Sequence, residues 1–461
     1  MARDAYGVKP LYYSDSAQGF AFASEIKALP SLSSTADDVA TGLNELGSSA
    51  LDRYLTYLWC PGSQTPSRQV KKLLPGHAMW IKQGQVVDCF AWYQLPTFRL
   101  TASQIENRRR MSFAAAMHGT EHHLRQAVHR QLVSDVPVGA FLSGGLDSSS
   151  IVAFAREKNP DIRCFTIDAR GSGAEGLADD LPYAHRVAEH LKVPLEVVKV
   201  DAARMAADLP SMVAQLDEPL ADPAPLNVLY ISRLAREHGI KVLLSGAAGD
   251  DLFTGYRRHC ALTTESVWNW LPVSVRSGLD VGSQYLDVTR PLGRRLRKLF
   301  SGAALTGDKR LMHYFRWINR QDLQALYSPE FKAALGECRA EDTLLEFLSD
   351  LPIETDRLER MLALEQRFFL TDHNLTYTDK MSMAAGVEVR VPFLDLELVE
   401  FAAQIPSRFK QRGAQGKWVL KKAMEPYLPR DVIYRPKSGF GAPLRRWLRF
   451  ELRDWLEDIL S

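Results

Sequence analysis

The sequence contains few cysteines and no long apolar run, and its positive and negative charges nearly balance. Five cysteines occur in 461 residues and none forms a Cys-x-x-Cys pair, which argues against zinc and against a disulfide framework. No apolar run is long enough to span a bilayer and no signal peptide opens the chain, so we expect a cytoplasmic protein without membrane contact. Lysine and arginine number 57 against 55 acidic residues, so bulk charge predicts no nucleic-acid partner.

A glycine-rich loop, SGGLDSS at residues 143–149, follows the apolar residues 136–142 and precedes a helical pattern that begins near Ser150. Glycines allow a sharp turn, and the unpaired amides at a helix N-terminus attract an anion such as phosphate. The loop also contains Asp147, which would repel phosphate unless a cation lay between them. The pattern therefore predicts a magnesium nucleotide site, and a serine-rich helix cap is the alternative.

A second loop of small residues follows the apolar residues 240–244. It reads SGAAGDDLFTGY at residues 245–256 and contains Asp250. In an open parallel sheet, ligands bind at the carboxyl ends of the strands, so Asp147 and Asp250 could share one magnesium ion. The alternative is that Asp250 and Asp251 only cap the next helix.

The first loop resembles the pyrophosphate loop of ATP pyrophosphatases, and almost the whole chain resembles the asparagine synthetase family of glutamine-dependent amidotransferases. The supporting segments, besides the two loops, are SDVPVG at 134–139, DEP at 217–219, YTDKMSMA at 377–384, EVRVPFLD at 388–395 and RPKSGF at 435–440. The resemblance implies a ligase that adenylates a small-molecule carboxylate with ATP and Mg²⁺, releases pyrophosphate and transfers ammonia.

The resemblance also implies roles for individual residues. The β and γ phosphates and the metal would be held by Ser143, Gly144, Gly145, Asp147 and Ser148. Leu142, Ile167 and Gly246 would line the adenine and ribose pocket, with Ser245 also at the nucleotide. Asp250 matches the second metal-binding aspartate, and Lys437 matches a lysine that stabilises charge as the adenylate forms. Lys380 is either a further catalytic lysine or an ordinary ion-pairing one.

Two residues of the second loop depart from the family pattern. Ala247 stands where asparagine synthetases usually carry an acid, and alanine cannot act as a general base. Ala248 replaces a glycine. The acceptor is therefore open between aspartate and a sugar uronic acid, as in members found with surface-polysaccharide synthesis. Other acyl-adenylate chemistry, such as β-lactam or peptide ring closure, and a degenerate nucleotide-binding subunit are the alternatives.

Residues 3–13 and 20–29 resemble the second half of the family's N-terminal-nucleophile glutaminase domain. Intact members present a cysteine at position 2 as the nucleophile, whereas this chain has Ala2, so we expect this polypeptide not to hydrolyse glutamine. Two explanations compete for the missing first half: a mis-assigned start codon or truncated gene, which we favour, and a protein that uses free ammonia or a separate glutaminase. As protein partner we expect a second copy of the chain, in a homodimer, or a separate glutaminase.

Strands predicted at 136–142, 162–168, 195–200 and 240–244 alternate with helical stretches, and the pattern turns helical beyond about residue 260. This alternation predicts an α/β fold with a doubly wound parallel sheet and a helical C-terminal part. We expect a partial glutaminase α+β sandwich at 1–98, a linker at 99–110 and a synthetase domain at 111–461.

Overall fold

A computed structural model describes residues 1–16, 19–29, 47–169, 180–436, 448–450 and 452–460 of the chain. Within these ranges, ten strands form three sheets. The strands are β1 Tyr12–Ser16, β2 Gly19–Ala23, β3 Lys71–Lys72, β4 His77–Lys82, β5 Gln85–Ala91, β6 Val138–Phe141, β7 Cys164–Ala169, β8 Leu195–Val200, β9 Val242–Leu244 and β10 Glu388–Arg390.

Helices account for most of the remaining structure, and beyond β9 they dominate the chain. In the first half the α-helices are Ser48–Tyr57, Pro96–Arg99, Ala102–Arg110, Phe113–Gln131, Leu146–Ala155, Leu181–Leu191, Ala202–Gln215 and Ala224–Glu237. From the second loop onward they are Gly249–Phe253, Arg257–Thr264, Val273–Gln284, Pro291–Phe300, Gly307–His313, Arg320–Leu326, Pro329–Leu335, Asp342–Ser349, Arg357–Leu364, Thr376–Ala384, Leu396–Gln404, Ser407–Lys410, Trp418–Met424, Arg430–Ile433 and Arg453–Leu460. Glu365–Leu375 is a π-helix, and short 3₁₀ turns lie at Ile26–Ala28, Glu265–Val267 and Pro392–Leu394.

The central sheet has five strands in the order β10-β9-β6-β7-β8, and every pairing in it is parallel. This arrangement confirms the predicted α/β fold with a parallel sheet and a helical C-terminal part. Three of the four predicted strands begin two residues later than expected, at Val138, Cys164 and Val242. The fifth strand, β10, was not predicted as a strand, because three residues without an apolar run become a strand only by pairing with β9.

The sheet is buried, as parallel sheets usually are. All three residues of β9 are buried, and the helix Leu146–Ala155 that follows the first loop is almost entirely enclosed. Gly139 in β6 allows close approach of the next strand, because a Cβ atom there would lie 2.9 Å from the carbonyl oxygen of Arg163. This tight packing fixes the ends of β6 and β9 side by side, where both predicted loops begin.

The N-terminal part contains two small antiparallel sheets, β2-β1-β3 and the hairpin β4-β5. It contacts the central part through ion pairs: Lys9 lies 2.7 Å from Asp379, and the buried Lys72 lies 3.0 Å from the buried Glu218. The predicted linker is largely helical, since Ala102–Arg110 forms a helix closed by a capping box between Thr101 and Gln104. Among the described helices, none combines the length and the apolar character needed to cross a bilayer.

Candidate active site

The first glycine-rich loop connects β6 to the helix Leu146–Ala155 and is held in shape by two serine hydroxyls. The amide of Ser143 donates to Oγ of Ser148 at 3.3 Å, and the amide of Gly145 donates to Oγ of Ser143 at 3.3 Å. Gly144 has φ +68°, and a Cβ atom there would lie 2.4 Å from the amide nitrogen of Ala184. Only glycine fits this turn, which places the helix N-terminus at the carboxyl end of β6.

The second loop packs directly against the first. A Cβ atom on Gly246 would lie 2.6 Å from the amide nitrogen of Ser148, and one on Gly249 would lie 2.6 Å from Cγ of Asp147. Ala248 has φ +70°, the left-handed conformation that favours glycine, at the position where the family pattern has glycine. The small residues of the second loop are therefore required by contact with the first loop as well as by the turn.

The two loops bring Asp147 and Asp250 to a single cation, the ammonium group of Lys417. Nζ of Lys417 lies 2.6 Å from Oδ1 of Asp250 and also forms an ion pair with Asp147. Burial alone would lower the pKa of Lys417, but the charges of Asp147 and Asp250 outweigh it and raise that pKa above its ordinary value. Lys417 is therefore charged, and it stands between the two carboxylates that the sequence predicts as magnesium ligands.

Sequence reasoning missed Lys417, because it lies far along the chain in a turn with no motif. Its backbone is left-handed, with φ +56°, and its amide donates to Oγ1 of Thr254 at 3.0 Å. Lys421, on the helix that follows, also lines the site. Burial, and then the charge of Lys417, lowers the pKa of Lys421. Only the folded chain brings these lysines to Asp147.

The donor set fits a magnesium ion that arrives with a nucleotide. Within the described residues, no group of three or more His, Cys, Asp or Glu side chains could hold a metal by itself. The carboxylate oxygens of Asp147 and Asp250 can reach one cation, because both contact the ammonium group of Lys417. Magnesium is usually bound in proteins by one or two carboxylates together with substrate phosphates and water. Two carboxylates beside a helix N-terminus match that arrangement.

A cavity of about 690 Å³ opens over the two loops. Seven of the predicted residues line it: Ser143, Gly145, Asp147, Ser148, Ser245, Gly246 and Asp250. Leu142, Gly144 and Ile167 do not line it; Leu142 is fully buried in the core, and Gly144 packs against the helix Leu181–Leu191. Lys437 lies outside the described residues. The assignments of Leu142, Ile167 and Lys437 stay predictions.

Lys380 does not line the cavity. Its ammonium group forms an ion pair with Asp217 and donates to the carbonyl oxygen of Ser24 at 2.7 Å. The side chains of Lys380 and Asp217 are almost completely buried. Lys380 thus joins the N-terminal part to the central part, which is the ion-pairing arrangement named above as the alternative to a catalytic role.

Aromatic rings form another wall of the cavity, and sequence reasoning did not identify it. The ring of Phe369 lies 5.5 Å from that of Tyr256 and stacks on that of His373 at 4.7 Å; the His373 ring lies 5.4 Å from that of Tyr377. Phe369 and His373 belong to the π-helix Glu365–Leu375. π-helical turns are rare and occur frequently at functional sites.

Polar groups border the aromatic wall. The side-chain Nδ2 of Asn374 donates to the Tyr256 hydroxyl at 3.1 Å, and Nε2 of His373 lies 3.3 Å from Oδ2 of Asp222. Arg435 lies in the same cavity, 3.1 Å from Oδ1 of Asp180. The cavity therefore joins a phosphate-type loop, two carboxylates that face a cation and an aromatic wall with hydrogen-bonding groups.

Two protein-family models match this chain. Residues 119–461 match the family model described as asparagine synthase, and residues 1–93 match a glutamine amidotransferase domain. The chain is 32% identical to a putative asparagine synthetase [glutamine-hydrolyzing] of Mycobacterium tuberculosis, in an alignment that covers 98% of this chain and 66% of that protein. It is 29% identical to asparagine synthetase [glutamine-hydrolyzing] 1 of Bacillus subtilis, over 100% of this chain and 68% of the relative.

A fungal relative, amidase chyE of Penicillium rubens, is 25% identical over 97% of this chain and 68% of its own length. The chain therefore spans about two thirds of the length of these curated relatives. The family model matches well over half of the chain, in the part that contains both loops, Lys417 and the aromatic wall. The chain belongs to the asparagine synthase family.

Proposed function

We propose that the protein is an ATP-dependent ligase that forms an amide in two steps. In the first, a carboxylate oxygen of the acceptor attacks the α-phosphorus of ATP, and pyrophosphate leaves. In the second, ammonia attacks the acyl carbon and AMP leaves. The observation that carries this proposal is the meeting of Asp147 and Asp250 at one cation, on two loops that follow the neighbouring parallel strands β6 and β9.

Ser143, Ser148 and the amides at the start of the helix Leu146–Ala155 would bind the phosphates of ATP. Asp147 and Asp250 would hold Mg²⁺, which when bound neutralises phosphate charge. Nζ of Lys417 pairs with both carboxylates, so its ammonium group would share their oxygens with the magnesium nucleotide or move away from them. Gly246, which lines the cavity, would contact the adenosine; Leu142 and Ile167, assigned to the adenosine by the family resemblance, lie outside the cavity lining.

Lys437 would stabilise the charge that develops as the adenylate forms, and a mobile ammonium group suits this task. Among the described residues, the basic side chains that line the same cavity are those of Lys417, Lys421 and Arg435. They supply a positive field in which a triphosphate and then a pyrophosphate can be held. Ammonia would come from the medium or from glutamine, in line with the amidotransferase match at residues 1–93.

For the acceptor, we propose a sugar uronic acid rather than aspartate. The aromatic rings of Phe369 and Tyr377 offer apolar surface to the C–H face of a sugar ring, and Asn374 and the Tyr256 hydroxyl offer hydrogen bonds to its hydroxyl groups. Aspartate would present a second carboxylate and an ammonium group to this wall. Ala247, in place of the usual acid, also departs from an aspartate-specific site.

Exchange of labelled pyrophosphate into ATP tests the adenylation step. Asp147→Asn and Asp250→Asn should each lower acceptor-dependent exchange at least about 100-fold, because neutral amides hold a divalent cation poorly. Asp161→Asn, at an exposed position away from the cavity, is the matched control and should exchange normally. Normal exchange in either active-site variant would remove that residue from the site.

The same assay identifies the acceptor. Exchange in the unaltered protein should rise with UDP-glucuronic acid and should change little with aspartate. Strong exchange with aspartate, followed by asparagine formation on addition of an ammonium salt, would contradict the uronic-acid proposal while leaving adenylation intact.

A further inference from the structure

Amide formation needs a proton acceptor that Ala247 cannot provide. When ammonia attacks an acyl-adenylate, its nitrogen becomes positively charged and must lose one proton. A carboxylate at position 247 would accept that proton, but alanine has no titratable group. Another residue in the same cavity is therefore needed, and the described carboxylates that line it are Asp147, Asp180, Asp222 and Asp250.

Three of these four carboxylates are paired with strong cations. Asp147 and Asp250 pair with Lys417, and Asp180 pairs with Arg435. In the part of the chain that the structure describes, Asp222 has no lysine or arginine within ion-pair distance. Its side chain is 32% exposed, so it can reach a molecule in the cavity.

Asp222 is also held in a defined orientation. It lies just before the helix Ala224–Glu237, and its Oδ1 accepts a hydrogen bond from the amide of Ala224 at 2.8 Å. Its Oδ2 lies 3.3 Å from Nε2 of His373. The His373 ring is fixed by stacking on Phe369, and its Nδ1 lies 2.8 Å from Oδ1 of Asn374. A carboxylate that is held through both oxygens and still partly exposed suits proton transfer.

We propose that Asp222 is the general base of the ammonia step and that His373 is its positioning residue; this inference rests on the proposed function. The lone pair of ammonia forms the C–N bond to the acyl carbon. The bond from that carbon to the phosphate oxygen of the adenylate breaks, and AMP leaves with the electron pair. One N–H proton moves to Oδ2 of Asp222, which later releases it to water.

Replacing ammonia with hydroxylamine as the nucleophile distinguishes a catalytic base from a carboxylate with only a structural role. After hydroxylamine attacks, its nitrogen carries an electron-withdrawing hydroxyl group and loses its proton readily to water, so it needs a protein base much less than ammonia does. Asp222→Asn should therefore slow amide formation from ammonium salts by about 10²–10⁴-fold. Hydroxamate formation should fall by less than about tenfold. The asparagine side chain can still accept from the amide of Ala224, which preserves the helix start.

The experiment uses the full chain with UDP-glucuronic acid or aspartate, whichever stimulates pyrophosphate exchange in the unaltered protein. Exchange should be nearly the same in Asp222→Asn, because the base acts after adenylation. His373→Gln should reduce the ammonia step less than Asp222→Asn does and should also spare exchange. Ala247→Glu in the Asp222→Asn background should restore part of the ammonia-dependent rate, since it returns a carboxylate to the cavity.

Equal losses with ammonia and hydroxylamine, or a loss of exchange in Asp222→Asn, would overturn the assignment of Asp222. An unaltered protein that shows no exchange with either carboxylate would instead overturn the proposed function, and the base assignment with it. The ratio of amide formation to hydroxamate formation, measured in one variant, does not depend on how much of that variant is folded.

Discussion

Nζ of Lys417 lies 2.6 Å from Oδ1 of Asp250, and the same ammonium group pairs with Asp147. One lysine is thus shared by the two carboxylates that we propose as magnesium ligands. Removal of one partner from an enclosed ion pair leaves an uncompensated charge, which usually costs more free energy than the pair contributes. Lys417 therefore stabilises this arrangement, and under the proposed function it would compete with Mg²⁺ for the same oxygens.

The first prediction concerns this competition. Lys417→Met should lower the free energy of unfolding by about 2–3 kcal/mol in metal-free buffer, because Asp147 and Asp250 then repel each other. Millimolar Mg²⁺ should restore part of this loss by binding only the folded chain. Thermal unfolding with and without Mg²⁺ measures both effects.

The control is Lys422→Met, since Lys422 pairs on the surface with Glu425 and its loss should cost less than about 1 kcal/mol. Magnesium should not selectively stabilise this variant. Equal responses of the two variants to Mg²⁺ would contradict a shared site for Lys417 and the metal.

The second prediction concerns the contact between the two loops. Gly246→Ala should lower pyrophosphate exchange at least tenfold and reduce stability by about 1–3 kcal/mol, because its Cβ atom would lie 2.6 Å from the amide of Ser148. Gly282→Ala is the matched control, because nothing lies within 4 Å of its added Cβ atom and it sits in the helix Val273–Gln284. That variant should be slightly stabilised and fully active.

The third prediction separates the two possible roles of Lys380. Lys380→Met should reduce the free energy of unfolding by about 3–5 kcal/mol, since Asp217 would be left buried without its cation. Exchange per folded molecule, measured where circular dichroism shows native structure, should stay within about threefold of normal. Lys9→Met, which removes a half-exposed partner of Asp379, is the milder control. A large loss of exchange without a loss of stability would instead make Lys380 catalytic.

The fourth prediction concerns acid sensitivity. Burial, together with the charges of Arg310 and Arg316, lowers the pKa of His313 to about 4 from its ordinary 6.5. Between these pH values the unfolded chain binds a proton at His313 that the folded chain does not bind, so stability falls as the pH decreases from 6.5 toward 4. Above pH 6.5 His313 makes no pH-dependent contribution.

His313→Asn should remove this pH-dependent loss of stability, which a pKa change from 6.5 to about 4 limits to about 3.4 kcal/mol. Denaturant unfolding at several pH values between 7.5 and 4 should therefore show a shallower loss of stability for the variant than for the unaltered chain. Parallel curves would mean that His313 is protonated as easily in the folded chain as in the unfolded one.

Local sequence was sufficient to predict the parallel sheet, both loops and the pair Asp147 and Asp250. Apolar runs followed by glycine and small polar residues are short-range signals, and the carboxyl ends of neighbouring parallel strands lie together in any such sheet. The short strand β10 and the exact starts of β6, β7 and β9 were not predictable in the same way, because pairing with neighbouring strands sets them.

Tertiary structure alone decided which side chains complete the site. Lys417 reaches Asp147 from a turn without a motif, and Lys380 is directed toward Ser24 instead of the cavity. The π-helix, in which the ring of His373 stacks on that of Phe369, places His373 beside Asp222. These contacts join residues that are far apart along the chain, so no local pattern encodes them. The sequence by itself determined the chemistry of the two loops, whereas packing of the helical C-terminal part determined which cation, which aromatic wall and which additional carboxylate face them.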